Sequence, residues 1–365
     1  MSAAVLLSLL AGGGAAASAA VAAPGSQIAR HGSPAPRAAA RVSWHKLSLR
    51  NGWKSANSKA LPAGNPSYAI SGGMVYLSGS VRQPSGSNSM FAVLPRGFRP
   101  AHALFITVYT QSDVAGTLRI APNGQMFASN GRAQTFTSLA AISFPVFKKT
   151  WHAVALKNGW QSAQHPYDSG DPAWAVSGGI VHLAGSLHQI SGANSIVGTL
   201  PAAARPAHVL YITVYTFVGS TGTVVIDPNG TVSAYGSQAQ AFTSLAGISY
   251  PTSATKWHKL TLADNWTSSQ SSYNSGDPAY AIIGPIVYLS GSMHQPSGTS
   301  GLFGVLPSAA RPSHVLEIET YTFAGTYGAF GLIPNPQGWM FVVSTPQSDA
   351  QDYTSLAAIS YPRNS

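Results

Sequence analysis

The chain has no cysteine among its 365 residues. That excludes a disulfide framework, a thiol nucleophile and a thiolate metal site. Charge is scarce too: Asp, Glu, Lys and Arg make up 8% of the residues, against about 25% in an average soluble protein. Acids are scarcest, ten against twenty basic residues. No apolar run is long enough to span a bilayer as a helix. No long stretch has the 3.6-residue periodicity of an amphipathic helix. Mean hydropathy is nonetheless only +0.09. The surface must therefore be built from Ser, Thr, Asn, Gln and Gly, a covering that can hydrogen-bond neutral polyols or simply remain inert.

What the chain does have is a phrase stated three times. It opens on Trp-His at Trp44, Trp151 and Trp257, and closes on Ala-(Ala/Gly)-Ile-Ser-(Phe/Tyr)-Pro. Asn51-Gly52-Trp53 returns as Asn158-Gly159-Trp160 and Asp264-Asn265-Trp266. Arg99-Pro100-Ala101-His102 returns as Arg205-Pro206-Ala207-His208 and Arg311-Pro312-Ser313-His314. Periods of 107 and 106 residues are too long for a solenoid unit and match one small domain each. With 37 Gly and 25 Pro, the expectation is an all-β chain of three tandem β-sandwich domains, jelly-roll-like, at 44–150, 151–256 and 257–365. In the first copy, Met74–Val81 and Phe136–Phe144 each read as one strand. Pro122-Asn123-Gly124 and Pro228-Asn229-Gly230 read as hairpin turns.

Residues 1–23 read as an export signal, with an apolar Ala3–Leu10 and a small-x-small site at Ala20-Val21-Ala22. Residues 24–43 read as a basic Pro/Ala tether. The expected location is secreted, with possible attachment at a cell surface. Basic charge is concentrated early. The first copy holds eleven Lys/Arg and one acid, Asp113, whereas the third holds three basic and six acidic residues. The first copy can therefore approach anionic wall polymers. Nucleic acid is not expected, because no recognition motif or Arg–aromatic stripe is present.

Leu94-Pro95-Arg96-Gly97-Phe98-Arg99-Pro100, the Gly116–Gln125 hairpin and Leu139-Ala140-Ala141-Ile142-Ser143-Phe144 form a pattern. It resembles one in C-terminal receptor-binding domains of tailed-phage tail-fibre and baseplate proteins. The second and third copies depart, with Ala203-Ala204 and Ala309-Ala310 ahead of the Arg-Pro. The resemblance implies β-sandwiches that assemble as trimers and bind host-surface saccharides. It also suggests that three copies on one chain pack about a pseudo-threefold axis, so that a single chain acts as its own trimer; three separate domains strung like beads are the alternative.

Two loops are candidate polyol sites. One carries Tyr167 and Asp171, ahead of Trp174, and recurs as Tyr273 and Asp277, ahead of Tyr280. A ring to stack beside a carboxylate suits a sugar, and a polar turn is the plain alternative. The other carries His188-Gln189 and His294-Gln295, with Arg82-Gln83 in the first copy. The recurring Trp53, Trp160 and Trp266 read as core, with sugar stacking as the alternative, and Arg99, Arg205 and Arg311 as ties to loop carbonyls, with a saccharide or inter-domain contact as the alternative. The two recurring His per copy lack a repeated third ligand, so no metal is expected. No cofactor is expected either. Glu317 and Glu319 share one strand face in the third copy alone. They read as exposed edge-strand charges or as a carboxylate pair for a hydrolase confined to that copy. No Ser-His-Asp order or phosphate-binding Gly loop is recognisable. The sequence therefore points to a non-catalytic carbohydrate-binding chain, with a structural wall protein as the alternative.

Overall fold

Two sheets face one another in the first copy and share one core. The smaller sheet is His45–Lys46, Ser67–Ser71, Met74–Ser78 and Ser143–Pro145, in that order. The larger has seven strands, with Leu104–Thr110, Val114–Ile120 and Gln125–Ser129 at its heart. Trp53, Val75, Leu77, Leu118 and Phe144 fill the space between them. Each Trp53-type indole is buried and donates to a loop carbonyl, Asn88, Asn194 or Ser300. The same pair of sheets recurs twice. In the second and third copies the large sheet is two pieces, joined through the single bridges Thr216–Thr243 and Thr322–Thr354. The computed structural model describes residues 41–146 and 150–365. The expected export signal, and the tether up to residue 40, lie outside that range. Among the described residues the α-helices are three short ones of four to six residues, and no helix is long and apolar enough to cross a membrane.

Two expected strands are each broken by a corner. Met74–Val81 divides at Gly79, whose φ is +86°, and the chain passes from the small sheet into the large one. A Cβ there would strike the Asn65 backbone carbonyl, so glycine is required. Phe136–Phe144 divides at Ala141, with φ +58°, and returns to the small sheet. The Leu139 amide donates to the Gly79 carbonyl at 2.9 Å and ties one corner to the other. Leu245 to Gly185 and Leu356 to Gly291 repeat the bond. A period-2 pattern continues straight through such corners, because side chains keep alternating while the backbone changes sheets.

The three copies pack as a pseudo-threefold ring. Leu104–Thr110, Leu210–Tyr215 and Leu316–Tyr321 are equivalent strands, and each touches the other two. One backbone bond marks every seam: Ala103 N to Asp168 O at 2.7 Å, Val209 N to Asn274 O at 2.9 Å, and Val315 N to Pro62 O at 2.9 Å. The third bond returns from copy three to copy one and closes the ring. Val42 and Asn364 add a reciprocal pair of hydrogen bonds across that same seam. The outer faces of the small sheets are covered as well. Met74, Tyr76, Ile180, Ile286 and Tyr288 form one buried cluster drawn from all three copies.

Candidate functional site: a cleft at the first seam

The seams differ in how tightly they close beside the recurring Pro-Ala/Ser-His turn. At the third seam His314 is largely buried. Its Nδ1 donates to the Val315 carbonyl, which leaves Nε2 to accept from the Ser78 hydroxyl at 2.9 Å. Burial pushes the His314 pKa down, so the neutral ring fills the seam. At the second seam Ser290 occupies the Ser78 position beside His208, and the remaining space is only about 20 Å³. At the first seam the equivalent residue is Ala184, which offers no hydroxyl. His102 is half exposed, with its Nδ1 3.7 Å from the Asp168 carboxylate. Behind it lies a cleft of about 590 Å³, within the range of small-ligand sites.

One wall of the cleft comes from the first copy and carries Arg99 and His102. The other comes from the second and carries Trp151, Gln164 and Asp171. The Arg99 Nε donates to the Leu94 carbonyl at 2.8 Å, and Arg205 and Arg311 make the equivalent bond. This Arg is the loop tie expected from its place beside Pro, and in the first seam it also lines the cleft. Ser162 donates to the Asp171 carboxylate at 2.6 Å. In the orientation that satisfies its neighbours, the Gln164 amide donates to both carboxylate oxygens at 3.2 Å. Asp277 is held likewise by Ser268, but Lys259 also reaches it at 2.5 Å. Hydrogen bonds from Lys259 first, then Ser268, hold Asp277 below the usual carboxylate range. Ala153 stands where the third copy has Lys259, so Asp171 has no such ammonium beside it.

The remaining candidates are placed elsewhere. Tyr167 is half buried in the first seam, its ring centroid 4.8 Å from Phe242 and 6.3 Å from Phe105. Tyr273 repeats this in the second seam against Tyr353 and Tyr211. Trp174 stacks on His152 at 4.6 Å and Tyr280 on His258 at 5.3 Å, so two recurring residue types turn out to be cross-strand partners. The Gln189 amide donates to the Asn158 and Asn194 carbonyls, and Gln295 donates to Asp264 while accepting from Gln351. His294 bonds Ser269 and Thr267, and His188 lies across from Gln161. The His-Gln pair thus belongs to the loop that pins the Asn-Gly-Trp turn, and in the third copy His294 also bonds Ser269, the N-cap residue of the short helix that carries Tyr273. Of the candidates, Asp171 alone lines the cleft.

Reasoning within one copy missed Arg99, His102, Trp151 and Gln164 as a group, because two copies contribute them. A signal did exist: Ser78, Ala184 and Ser290 align, and the odd residue marks the open seam.

The expected exposure of Glu317 and Glu319 is overturned. Glu317 is 5% exposed, and both carboxylate oxygens of Glu319 are closed off from solvent. The alternation that put both acids on one face was sound. That face is covered by the first copy, which one copy's sequence does not reveal. Among the described residues no three His, Asp or Glu side chains gather with metal-binding geometry.

No protein-family model, no curated protein and no solved structure matches the chain. The likeness to phage receptor-binding domains therefore rests on its motifs alone.

Proposed function

We propose that the chain is an exported, non-catalytic carbohydrate-binding protein, a monomer in solution that acts as its own trimer, and that the first-seam cleft is its principal site. The cleft itself carries the reading. An indole (Trp151), an amide (Gln164), a carboxylate (Asp171) and a guanidinium (Arg99) converge on about 590 Å³ of mostly apolar space. A pyranose needs this set: a flat ring against its C–H face and fixed donors and acceptors for its hydroxyls. Extracellular or cell-surface polysaccharide is the partner class. The test is a neutral oligosaccharide array read at about 0.15 M and 1 M salt. Specific, salt-insensitive capture is expected, and Ala184→Ser, which gives His102 the partner that draws His314 inward, should weaken it about tenfold. Absence of capture, or capture unchanged in Ala184→Ser, sinks the assignment of the site.

One observation favours a second reading, adhesion to anionic polymer through the first copy. Lys54 and Arg82 lie directly opposite one another on neighbouring strands, both exposed, where the other copies pair Gln161 with His188 and Thr267 with His294. Like charges set opposite cost stability unless an anion is shared between them. Binding that vanishes in 1 M salt and in Arg82→Gln supports this reading over the first.

A further inference from the structure

At the first seam Phe105 packs on Tyr215 and Phe242, with centroids at 5.3 and 5.5 Å. At the second, Tyr211 packs on Tyr321 and Tyr353, both at 5.4 Å. At the third the equivalent residue is Glu317. Two positions on, Thr107 and Thr213 are matched by Glu319. Both acids line an axial cavity of about 90 Å³ together with those threonines. Oε2 of Glu317 and both oxygens of Glu319 are enclosed without a hydrogen-bond partner, and among the described residues no Lys or Arg pairs with either.

We propose that the third seam is a latch: when the carboxyl groups of Glu317 and Glu319 ionise, the contact between the first and third copies opens while the other two seams hold. Every titratable group among the described residues that faces them sheds a proton and gains negative charge as pH rises. These are Tyr109 and Asp113 from the first copy, Tyr211 and Tyr215 from the second, and Tyr321 and Tyr327 from the third. Among the described residues none can supply a compensating positive charge. Two carboxylates enclosed beside Thr107, Tyr109, Tyr211 and Thr213 must therefore reach water, and the seam is what can move. Short connections hold the other copies together, with Val154 opening the second core soon after Pro145 and Leu260 opening the third soon after Pro251. No peptide bond joins copy three to copy one. That seam depends on the Val315–Pro62, Val42–Asn364 and His314–Ser78 bonds. Burial first, and the Asp113 charge second, push Glu317 up to about 8 and Glu319 well above its ordinary value. The hold of the seam therefore weakens as pH rises toward about 8, where the Glu317 carboxyl ionises even in the closed state.

Amide hydrogen exchange tests the latch, because the three seams carry the same backbone bond. Between pH 7 and pH 9.5, after correction for intrinsic exchange, the Val315 amide should lose at least tenfold in protection. Ala103 and Val209 should keep theirs, and small-angle scattering should show an expanded chain. In Glu317→Gln/Glu319→Gln all three amides should stay protected across the range. If that variant folds poorly, Glu317→Tyr/Glu319→Thr, which installs the second copy's own residues, serves the same purpose. Equal loss at all three amides means global unfolding and overturns the latch. So does retained protection at Val315, or loss at the same pH in a folded variant.

Discussion

The second and third seams are built from equivalent strands, and one is aromatic while the other is acidic. In the second, Tyr211, Tyr273, Tyr321 and Tyr353 meet within 4.4 to 6.3 Å, edge to face except for the tilted Tyr211–Tyr321 pair. Such pairs contribute about 0.5–1.5 kcal/mol each beyond their burial. In the third, Leu61, Phe136 and Tyr109 remain, but Glu317 replaces the ring that would enter from the neighbour. Fold symmetry therefore does not entail equal strength. A repeat can keep its backbone contacts and still give one interface a different response to conditions.

The largest expected effect breaks the aromatic side. Tyr353 is 1% exposed and touches three other rings, so Tyr353→Ala should cost about 3–5 kcal/mol in urea denaturation. Phe136→Ala, at the equivalent place in the acidic seam, should cost less, since among the described residues the one ring that packs on it is Tyr109, at 5.9 Å. Equal losses would mean that the inserted ring of the neighbour adds nothing.

Next comes the pH dependence. The folded chain keeps the Glu317 proton up to about 8, whereas the unfolded chain releases it near 4.5. Between those values the folded state holds the extra proton, so stability is greatest below about 4.5 and falls as pH rises, by about 1.4 kcal/mol per unit for this one group. Glu317→Tyr should flatten that part of the profile. Denaturation midpoints from pH 5 to pH 8 check it, and an unchanged slope would place the titration elsewhere.

These two predictions also show what was legible in the sequence. The repeat, the core tryptophans and the Asn-Gly hairpins were readable because each depends on local pattern or on recurrence. The corners at Gly79 and Ala141 were not, since alternation is the same in a straight strand and in one that changes sheets. Glu317 and Glu319 were misplaced for a deeper reason. An acid on the polar phase of a strand reads as surface, and only a neighbouring copy converts that phase into interior. The cleft failed to emerge for the same cause: Arg99 and Asp171 come from different copies and face each other only in the assembled ring.

The smallest effect separates the two carboxylates at Asp171 and Asp277. Lys259 and Ser268 lower the Asp277 pKa, so the stability that this pair supplies is present above the usual carboxylate range and disappears as pH falls through the lowered value. Lys259 is mostly exposed, which limits the pair to about 1 kcal/mol or less, and salt should reduce it further. Lys259→Ala should therefore shift the midpoint slightly at pH 7 and not at all well below the Asp277 titration. Ala153→Lys asks the converse in the second copy. It sets an ammonium beside Asp171, should raise stability by a similar amount in low salt, and should occupy the wall of the first-seam cleft. If it stabilises the chain without weakening oligosaccharide binding, Asp171 is a structural hook like Asp277 and the cleft binds through its other residues.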